Sequence, residues 1–576
     1  MRYVCLACDF DGTLASDGVV PEEVTQALAR FAASGRNLIL ATGRKLEDLF
    51  QVFPQLNLFD YLVCENGALL YRPATKVSRL LAEPPPRQFI EMLKARGVSP
   101  IDLGRVIVAT WHPHETKVLE TIEELGLDLH ISFNKGAVMV LPPGVNKGSG
   151  VCAALSELGL SKHNMVGIGD AENDHALMSA SECSVAVANA LPVVKEHADL
   201  TMSNDHGKGV VELIDRMLTT DLSDCKHLIK RHNLVLGTSA ADGGANITFA
   251  AHDYRILIAG PSQSGKSTAS MSILEQFALA GYQYCVIDPE GEYQRAPRAV
   301  TVGNEHYTPE LDDVVRVLEN PDDNVVVNML GVPLNERSAF LARIFTAIQN
   351  LRRLKGRPHW LVIDEAHHML HPYWESLFEP IWHDAGAVVI VTIDPNEISQ
   401  TVLRDIDLAI AVGEEPNRTL GTFAARVDQK PPEIVPALLS WGESLAWFRH
   451  EHAAPLRVRM TLSLIERQRH LRKYSEGNLG AQRSFYFTGP DGRMKIRCQN
   501  LFLFMQVGEG IDDEFWLFHL RRGDYSAWFR NVIKDPALAD ETAKIEQDLN
   551  LAAIQSRVRI RQVIERHYTL PVQLLG

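Results

Sequence analysis

Two carboxylates lie two residues apart where the first apolar run of the sequence ends. Residues 3–14 read YVCLACDFDGTL, and this run predicts a buried parallel strand that delivers Asp9 and Asp11 at its carboxyl end. Gly12 and Thr13 follow with turn chemistry. Two like charges this close repel each other at a strand end. A divalent cation would offset that repulsion, so the spacing indicates a metal-assisted site.

A glycine-bearing loop later in the chain has the composition of a phosphate-binding loop. Residues 255–268 read RILIAGPSQSGKST, an apolar strand followed by the pattern GxxxxGK[ST] and then a helical pattern. The glycines allow backbone N–H groups to wrap a phosphate, Lys266 would reach the β and γ phosphates, and Ser267 would offer its hydroxyl to Mg²⁺. The predicted ATP-binding residues are Gly260, Gly265, Lys266, Ser267 and Thr268.

A pair of acidic residues ends another apolar run, PHWLVIDEAHHM. Asp364 is placed to hold the water shell of a metal ion, and Glu365 to polarise an attacking water, which hydrolysing motors need. His367 and His371 are spaced i, i+4 for a helix, but the sequence offers no third ligand. We therefore interpret them, with His368, as ordinary helix residues rather than as a metal site.

The first segment opens a series of motifs that resembles the haloacid dehalogenase-like (HAD) phosphatase superfamily. The motifs occur in the family's order within residues 1–215: Asp9 to Thr13 as DxDGT, NLILATGR ending in Thr42, Gly43 and Arg44, VNKGSG with Lys147, and MVGIGDAENDHALM with Asp170 and Asp174. The CENGA segment, with Glu65 to Ala68, and the GDAEND segment are similar to the sugar-phosphatase branch with an inserted cap.

This resemblance implies an aspartyl-phosphate mechanism. Asp9 would attack phosphorus, and Asp11 would protonate the leaving oxygen and later activate water. Mg²⁺ would be held by Asp9, by the backbone carbonyl of Asp11 and by Asp170, with Asp174 supporting the metal or the lysine. The predicted ligands of the transferring phosphoryl oxygens are Thr42 and Lys147.

The segment at about residues 70–145 is too long for a turn and too patterned for a loop. Helix-like and strand-like periods alternate there, in RQFIEMLKARG, RVIVATW, HETKVLETIEELG, LHISF and AVMVL. This alternation predicts a small α/β cap over the site. Because caps exclude large polymers, the expected substrate is a small phosphorylated metabolite.

The second set of motifs resembles the HerA/FtsK branch of the additional-strand P-loop ATPases, over roughly residues 230–460. The resemblance is carried by the loop above, VIDPEGEY at 286–293, LVIDEAH, and VVIVTIDPNEISQTVLRDIDLAIAVG. Such motors often carry a polar amide sensor where the fourth strand ends, and this sequence has Thr392 there. A threonine can still hold water or the γ-phosphate, so we include it among the ATP-binding residues.

Members of that branch usually work as hexameric rings in which an arginine from a neighbour completes the site. The resemblance therefore implies a homo-oligomer, with a hexamer as its expected form, and the candidate arginines are Arg404, Arg418 and Arg426. A basic cluster, Arg352, Arg353, Lys355 and Arg357, precedes the acidic pair. We interpret this cluster as a solvated helix end, the alternative being a channel lining or a phosphate contact.

Composition limits the classes of partner. The chain has 576 residues, with 57 Lys and Arg against 72 Asp and Glu and a net charge of −15, which argues against binding nucleic acid over its whole surface but leaves a local channel open. At 46% hydrophobic residues the chain is not disordered, and the absence of both a long apolar run and a leader predicts a cytoplasmic protein without a membrane partner. Cys5 and Cys8 are expected to be core thiols.

The expected fold class is α/β, with two doubly wound parallel-sheet domains and a mainly helical C-terminal domain. The predicted domains are 1–215, a HAD Rossmann-like phosphatase with its cap, 225–465, an additional-strand P-loop ATPase, and 475–576, a hairpin in SFYFTGPDGRMKIRCQ followed by helices. Aromatic residues at 515–529 recur at helical spacing and are expected in a core. We assign this last domain to interaction or assembly.

The leading functional hypothesis is a bifunctional enzyme, a Mg²⁺-dependent phosphatase of small metabolites fused to an ATP-hydrolysing motor or switch. The first alternative is a nucleic-acid end-healing enzyme, which the cap and the pair Asp364 and Glu365 disfavour. The second is a DNA-translocating ATPase with an associated phosphatase, which predicts ATP hydrolysis stimulated by DNA. The third treats both domains as non-catalytic sensors.

Overall fold

The structure is a computed structural model, and it describes residues 1–134, 136–240, 244–262, 264–432, 439–440, 442–451, 454–461, 484–489, 495–533, 535–548 and 550–568. The chain falls into two compact units. The larger consists of Met1–Lys266, Ile273–Pro436 and Ser444–Val458, and the smaller of Ser267–Ser272, Ala437–Glu443 and Arg459–Gly576.

The first 220 residues of the larger unit alternate strands with helices. In chain order the strands are β1 Cys5–Asp9, β2 Asn37–Ala41, β3 Tyr61–Cys64, β4 Leu69–Arg72, β5 Val77–Leu80, β6 Asp102–Leu103, β7 Val108–Trp111, β8 His130–Asn134, β9 Ala137–Leu141, β10 Met165–Gly169, β11 Cys183–Ala186 and β12 Leu200–Thr201. The helices are α1 Glu22–Ala33, α2 Leu46–Val52, α3 Arg87–Ala95, α4 Glu115–Glu124, α5 Lys147–Leu158, α6 His175–Ser179, α7 Pro192–His197 and α8 His206–Thr220.

The main sheet of this region has eight strands in the order β12-β11-β10-β1-β2-β3-β4-β5. The strands from β12 to β3 run parallel, and β4 and β5 are added antiparallel at one edge. Both faces of β1 are covered, because Leu6 and Cys8 lie in one apolar core and Cys5 and Ala7 in another. The prediction that Cys5 and Cys8 are core thiols on opposite faces is thus confirmed.

A separate four-stranded sheet lies between β5 and α5 in the sequence. Its order is β6-β7-β9-β8 with antiparallel pairing, and α3 and α4 pack with it around a small core that includes Phe89, Val118 and Val140. These helices and strands match the alternating patterns in the sequence, but the cap expected at about residues 70–145 begins later, because β4 and β5 belong to the main sheet. We call residues 87–141 the cap.

Beyond residue 230 the chain forms a second sheet, most of which lies in the larger unit. In chain order the strands are β13 Leu234–Ser239, β14 Asn246–Phe249, β15 Arg255–Ala259, β16 Tyr284–Asp288, β17 Ala299–Val302, β18 Asn324–Asn328, β19 Trp360–Ile363, β20 Ala387–Thr392, β21 Leu408–Ala411, β22 Glu443–Phe448 and β23 Leu456–Met460. The helices are α9 Lys266–Ala280, α10 Leu311–Glu319, α11 Arg337–Lys355, α12 Glu375–Trp382, α13 Gln400–Arg404 and α14 Pro416–Arg426.

This second sheet has the order β14-β13-β23-β22-β21-β15-β20-β19-β16-β18-β17. The strands from β21 to β17 run parallel, and β22 pairs antiparallel with β21. All residues of β16, β18 and β20 are buried, which explains why these strands read as continuous apolar runs. The α/β class with parallel sheets that the sequence predicted is confirmed.

The basic cluster before β19 differs from its predicted role. Arg357 is buried and Arg352 is half-buried, because their guanidinium groups donate to backbone carbonyls of other segments. Arg352 Nε lies 2.7 Å from Pro358 O, and Arg357 Nη2 lies 2.9 Å from Gly159 O. The interpretation of the whole cluster as a solvated helix end is therefore wrong for Arg357, and Arg352 also turns toward backbone acceptors.

Beyond residue 484 the described chain is a two-stranded ladder followed by helices. β24 Phe485–Thr488 pairs antiparallel with β25 Lys495–Cys498, and the turn of the predicted hairpin lies outside the described residues. The helices are α15 Leu501–Gly510, α16 Asp513–Arg522, α17 Asp524–Trp528, α18 Pro536–Glu546 and α19 Ala553–Tyr568, with a π-helical turn at Phe529–Ile533. The aromatic residues predicted to form a core do so through Trp516, Tyr525, Trp528 and Phe529.

In the described part of the chain, none of the helices combines the length and the apolar character that crossing a bilayer requires.

Candidate active site

The predicted HAD residues gather at one edge of the first sheet. Asp9 is the last residue of β1, Thr42 follows β2, and Asp170 follows β10. Because β1 lies between β2 and β10 and all three run parallel, their carboxyl ends meet at the same edge. Residues far apart in the sequence are thereby brought into one site.

A buried lysine bridges two of the carboxylates. Lys147 Nζ lies 2.5 Å from Asp9 Oδ1 and 2.6 Å from Asp174 Oδ1, and the three side chains are 1, 5 and 0% exposed. Lys147 is the first residue of α5, whose start is fixed by a capping box between Asn146 and Ser149. The capping box fixes the first turn of α5 and so helps to position the ammonium group of Lys147.

The two carboxylate oxygens of Asp174 accept hydrogen bonds from different donors. Oδ1 accepts from Lys147, while Oδ2 accepts from the backbone N–H groups of Asp170 and Ala171, both at 3.0 Å. The sequence left open whether Asp174 supports the metal or the lysine. This geometry favours support of Lys147, together with the backbone at Asp170 and Ala171. Asp170 is itself oriented by Thr13, whose Oγ1 donates to Asp170 Oδ1 at 3.1 Å.

The residues present fit a magnesium ion. Carboxylate oxygens of Asp9, Asp170 and Asp174 all lie within 4.8 Å of one another, and oxygen donors are what this hard cation prefers. Burial raises the pKa of Asp9, and the charge of Asp174 adds to that shift, while Lys147 opposes it. A dication would relieve the same electrostatic cost, so the acidic cluster is suited to hold one.

Asp11 is engaged by an arginine to which the sequence assigned no role. Arg44 Nε lies 2.7 Å from Asp11 Oδ2 and Nη2 lies 2.6 Å from Asp11 Oδ1, a bidentate pair. The Asp11 side chain is 34% exposed, in contrast to the buried Asp9. Arg44 follows Thr42 by two residues, and its backbone N–H donates to Thr42 Oγ1 at 3.1 Å.

Glu65 is a second residue whose role the sequence did not disclose. It follows β3 with a positive φ of 53°, and it is fully buried. Its carboxylate accepts hydrogen bonds from the backbone N–H groups of Arg105, Val106 and Ile107 in the cap, at 2.8, 2.8 and 3.1 Å. Glu65 therefore attaches the cap loop to the sheet edge that carries Thr42.

Replacing Glu65 with Gln should loosen this cap loop. An amide offers one acceptor oxygen and turns an NH₂ group toward the backbone donors, which we expect to cost about 1–3 kcal/mol of local stability. The predicted result is amide exchange at 105–107 that is faster by roughly 5- to 150-fold. The matched control is Glu47→Gln, which removes an exposed partner of Arg105 and should leave this exchange within about threefold of wild type. Unchanged exchange in Glu65→Gln would contradict the assigned contact.

The cap closes the site into a small pocket of about 180 Å³. Residues of both layers line it. They are Asp9, Asp11, Gly43, Arg44, Lys45 and Asp48 from the sheet edge, and Asp102, Gly104, Ile107, Ala109, Trp111, Ala137 and Met139 from the cap. Lys45 Nζ also lies 2.7 Å from Asp102 Oδ1, across the two layers. A pocket of this volume is suited to a small phosphate ester.

The predicted phosphate loop lies at the carboxyl edge of the second sheet. Gly260 follows β15, and its N–H donates to Thr392 O at 3.3 Å. A Cβ at this position would lie 2.4 Å from Val412 O, so only glycine fits. Gly265 has a φ of 101°, which also requires glycine, and it leads into Lys266, the first residue of α9. Lys266 is buried, and its Nζ donates to Pro261 O at 3.1 Å.

The acidic pair follows β19 at the same edge. Burial and the neighbouring Glu365 raise the pKa of Asp364 to about 8. Burial also raises the pKa of Glu365, and the charge of Lys266 opposes this shift. Asp288, at the end of β16, accepts from the backbone N–H groups of Gly291, Glu292 and Tyr293. Ser267 and Thr268 lie in the first turn of α9.

The histidines after the acidic pair do not lie on the predicted helix. Glu365 has a left-handed φ of 43°, and only a short 3₁₀ turn, Ala366–His368, follows before a proline. The expected i, i+4 helical pairing of His367 and His371 is therefore wrong: His371 faces Glu397, with Nε2 to Oε2 at 3.2 Å. A different group of three, Glu365, His367 and His368, has ligand atoms within 4.8 Å of one another, and His371 does not belong to it.

Thr392, the predicted sensor, ends β20 in a fully buried position and donates through Oγ1 to Asp394 O at 3.2 Å. Since β20 lies between β15 and β19, Thr392 stands between the glycine loop and the acidic pair. Gly260, Thr392 and Asp364 thus follow or end neighbouring parallel strands at one edge of the second sheet.

Comparison with known proteins places the N-terminal region in a family. The model of the haloacid dehalogenase-like hydrolases matches residues 6–101 and 100–214. Phosphoglycolate phosphatase 2 of Saccharolobus solfataricus is 32% identical over 223 residues, covering 38% of this chain and 93% of the relative. The phosphoglycolate phosphatase of Methanothermobacter thermautotrophicus is 27% identical over 219 residues, covering 37% of this chain and 98% of the relative.

Among solved structures, a haloacid dehalogenase-like hydrolase from Bacteroides thetaiotaomicron aligns with 38% of this chain and all of its own, at 19% identity and a TM-score of 0.34. Through its N-terminal 214 residues, the chain belongs to the haloacid dehalogenase-like hydrolases. This confirms the first resemblance that the motifs indicated, and with it a phosphatase for that region.

Proposed function

We propose that residues 1–215, the phosphatase part, hydrolyse a small phosphate monoester through an aspartyl phosphate formed on Asp9. The observation that carries the proposal is the buried bridge of Asp9, Lys147 and Asp174 at the carboxyl edge of the sheet. The bridge holds a carboxylate nucleophile against a fixed positive charge, in a pocket closed by the cap. Such preorganised charge is what phosphoryl transfer requires of a protein.

The roles proposed for the residues are those that the family resemblance implies. A carboxylate oxygen of Asp9 would attack phosphorus, and the bond from phosphorus to the ester oxygen would break. Asp11 would donate a proton to that leaving oxygen and then take one from the water that hydrolyses the aspartyl phosphate. Lys147 and Thr42 would bind the phosphoryl oxygens. For Asp11 to act, Arg44 must release it, and the arriving phosphate is an anion that competes for the same guanidinium.

Mg²⁺ would be held by Asp9, Asp170 and the backbone carbonyl of Asp11. When bound, the ion would neutralise charge on the phosphoryl group and orient it toward the nucleophile. Asp174 would then keep the lysine and the loop at Asp170 in place through the contacts already described.

We further propose a substrate of the phosphoglycolate class, a phosphate ester of a short hydroxy acid. Two observations support this choice: both relatives described above are phosphoglycolate phosphatases, and the pocket measures about 180 Å³. Arg44 and Lys45 line that pocket and offer positive charge for a substrate carboxylate.

The test is a panel of substrates assayed with Mg²⁺. We expect kcat/KM for 2-phosphoglycolate to exceed that for glucose 6-phosphate by about 10-fold or more, because the larger ester must displace cap residues. A 3′-phosphorylated oligonucleotide should be inert. Equal or faster release of phosphate from the oligonucleotide would contradict this assignment and favour the end-healing alternative.

For residues 225–465, the nucleotide part, we propose binding and hydrolysis of ATP with Mg²⁺ by an additional-strand P-loop mechanism of the HerA/FtsK kind. The supporting observation is strand order: β20 lies between β15, which leads to the glycine loop, and β19, which leads to Asp364 and Glu365. Lys266 and Ser267 would bind the phosphates and the metal, and Glu365 would polarise the attacking water. Thr392 is placed to sense the γ-phosphate.

We also propose that the chain works as a homo-oligomer, a hexamer, with residues 475–576 contributing to assembly. Of the candidate arginines, Arg404 and Arg418 are largely exposed and pair with Asp428 and Glu415. Arg426 instead donates to Ile398 O within its own chain, at 3.0 Å. The exposed pair is therefore better placed to reach a neighbour.

A further inference from the structure

One buried carboxylate receives hydrogen bonds from both the phosphatase part and the nucleotide part. Glu182, 1% exposed, precedes β11. From the phosphatase part, His163 Nδ1 lies 2.7 Å from its Oε2, and Arg2 Nη2 lies 3.3 Å from its Oε1. From the nucleotide part, Tyr282 OH lies 3.0 Å from Oε2, and His252 Nε2 lies 2.6 Å from Oε1. We call these five residues the junction cluster.

The cluster is also tied directly to the nucleotide helix. His163 Nε2 lies 2.8 Å from the carbonyl oxygen of Ala280, the last residue of α9, and the His163 ring stacks on Tyr282 with centroids 3.8 Å apart. Both ring nitrogens of His163 therefore face acceptors, one on each part. If the two parts move relative to each other, the His163 ring must therefore lose a hydrogen bond to one of them.

A second bridge lies beside the first. Asn164 Oδ1 accepts from His359 Nε2 at 3.1 Å, and its Nδ2 donates to Arg2 O and Gly356 O at 2.8 and 3.0 Å. His359 Nδ1 in turn accepts from the N–H of Gln283, which fixes Nε2 as the donor. A Cβ at Gly356 would lie 2.4 Å from Asn164 Nδ2 and 2.9 Å from the backbone oxygen of Arg2, so the two segments pack closely here.

These contacts sit at the ends of the elements that carry the two sites. Asn164 precedes β10, which ends next to Asp170, and His359 precedes β19, which ends next to Asp364. Ala280 ends α9, which begins at Lys266. A five-residue strand spans roughly 17 Å and a 15-residue helix roughly 22 Å. Each site is thus joined to the junction by one stiff element.

The junction resists partial separation. Glu182 is a buried charge with four donors, and removing donors from such a group leaves it unpaired in a medium of low polarity, which is strongly unfavourable. The buried Arg357, which donates to Gly159 O, adds a further contact across the two parts. If phosphate binding at the first turn of α9 displaces this helix, breaking the junction contacts costs more than moving β10 with it. The displacement would therefore reach β10.

We propose that nucleotide binding at the start of α9 controls the phosphatase site through the junction cluster, so that the chain is a nucleotide-regulated phosphatase. This inference rests on the proposed nucleotide site. Coupling between ligand sites is reciprocal and commonly amounts to about 5- to 150-fold. The regulatory ligand is a nucleoside triphosphate with its Mg²⁺, and the regulated quantity is phosphate release at Asp9.

The test uses the full chain with a non-hydrolysable ATP analogue and an aryl phosphate substrate. In wild type, saturating analogue should change phosphatase kcat/KM by about fivefold or more. In Glu182→Gln, both nucleotide binding and basal phosphatase activity should persist, and the change should fall below about twofold. Glu212→Gln is the matched control, because Glu212 accepts from Ser203 and Asn204 N–H groups away from the junction, and it should behave as wild type.

Two further measurements, amide exchange and calorimetry, distinguish failure of the coupling from failure of the nucleotide site. Amide exchange across β10 should change on analogue binding in wild type and not in Glu182→Gln, a response that a purely structural role would not produce. If Glu182→Gln fails to fold, Tyr282→Phe removes one donor at nearly constant shape and should weaken the coupling. Calorimetry of analogue binding identifies which proposal fails. Binding without any effect on phosphatase activity overturns the coupling alone, whereas absence of binding overturns the nucleotide site as well.

Discussion

Replacing Asp9 with Asn is expected to lower phosphatase kcat/KM by at least about 10³-fold, which corresponds to about 4 kcal/mol of lost transition-state stabilisation. The amide is nearly isosteric with the carboxylate but cannot form an aspartyl phosphate. It also leaves Lys147 with one carboxylate partner instead of two. The measurement is phosphate release from 2-phosphoglycolate and from an aryl phosphate, with Mg²⁺ in excess.

The control for this variant is Asp215→Asn, which removes an exposed carboxylate paired with Arg30 on the same domain. Asp215→Asn should keep full activity, since surface ion pairs contribute little. ATP hydrolysis should also survive in Asp9→Asn, because its residues lie on a different sheet. Loss of both activities together would contradict the assignment of two separate sites.

Replacing Lys266 with Ala is expected to lower ATP hydrolysis by about 10²–10³-fold, the usual effect of removing one donor from a preorganised anion site. Lys266 is buried at the start of α9, its Nζ donates to Pro261 O, and its charge opposes the raised pKa of Glu365. The measurement is phosphate release from ATP, with nucleotide affinity determined in parallel. Glu365→Gln should keep nucleotide binding while hydrolysis falls, because it alters the water-polarising group alone.

Arg316→Ala serves as the control for Lys266→Ala. Arg316 is an exposed cation on α10 of the same region, paired with Asp313, and its loss should leave ATP hydrolysis unchanged. Basal phosphatase activity in Lys266→Ala should equal that of wild type without nucleotide. ATP hydrolysis that persists in Lys266→Ala at the wild-type rate would reject the proposed nucleotide site.

The sequence predicted those residues whose position follows from one strand and the turn after it. Asp9, Thr42 and Asp170 each come directly after an apolar run, and parallel strands bring their carboxyl ends together. Lys147 was found because it belongs to a motif of fixed order along the chain. Local patterns of apolar periodicity likewise predicted the cap elements and the buried aromatic residues of the C-terminal helices.

Contacts between distant segments could not be predicted in the same way. Arg44 was visible in the motif at Thr42, but only the fold shows that its guanidinium holds Asp11. Glu65 acts on a cap loop forty residues away, and Glu182 has no motif around it at all. The sequence alone therefore does not predict the contacts of charged side chains whose partners are backbone groups or residues in distant segments.

Two interpretations from the sequence were wrong because a local pattern does not contain the contacts or backbone conformations that decide them. Arg357 lies just after α11 but is buried, and its guanidinium donates to Gly159 O in a segment distant in the sequence. His367 and His371 lie where a left-handed residue, Glu365, and a following proline prevent the helix that their spacing suggested. For the histidines, the backbone conformation therefore overrode the helical spacing.

The central claim, that Asp9 forms a covalent phosphoryl intermediate, is tested most directly by trapping. Wild-type protein turning over 2-phosphoglycolate with Mg²⁺ is quenched with borohydride, which reduces an acyl phosphate to an alcohol, and the peptides are analysed by mass spectrometry. We expect homoserine at position 9, dependent on substrate and absent in Asp9→Asn. Continued turnover with an unmodified Asp9, or reduction at Asp11 instead, would contradict the mechanism.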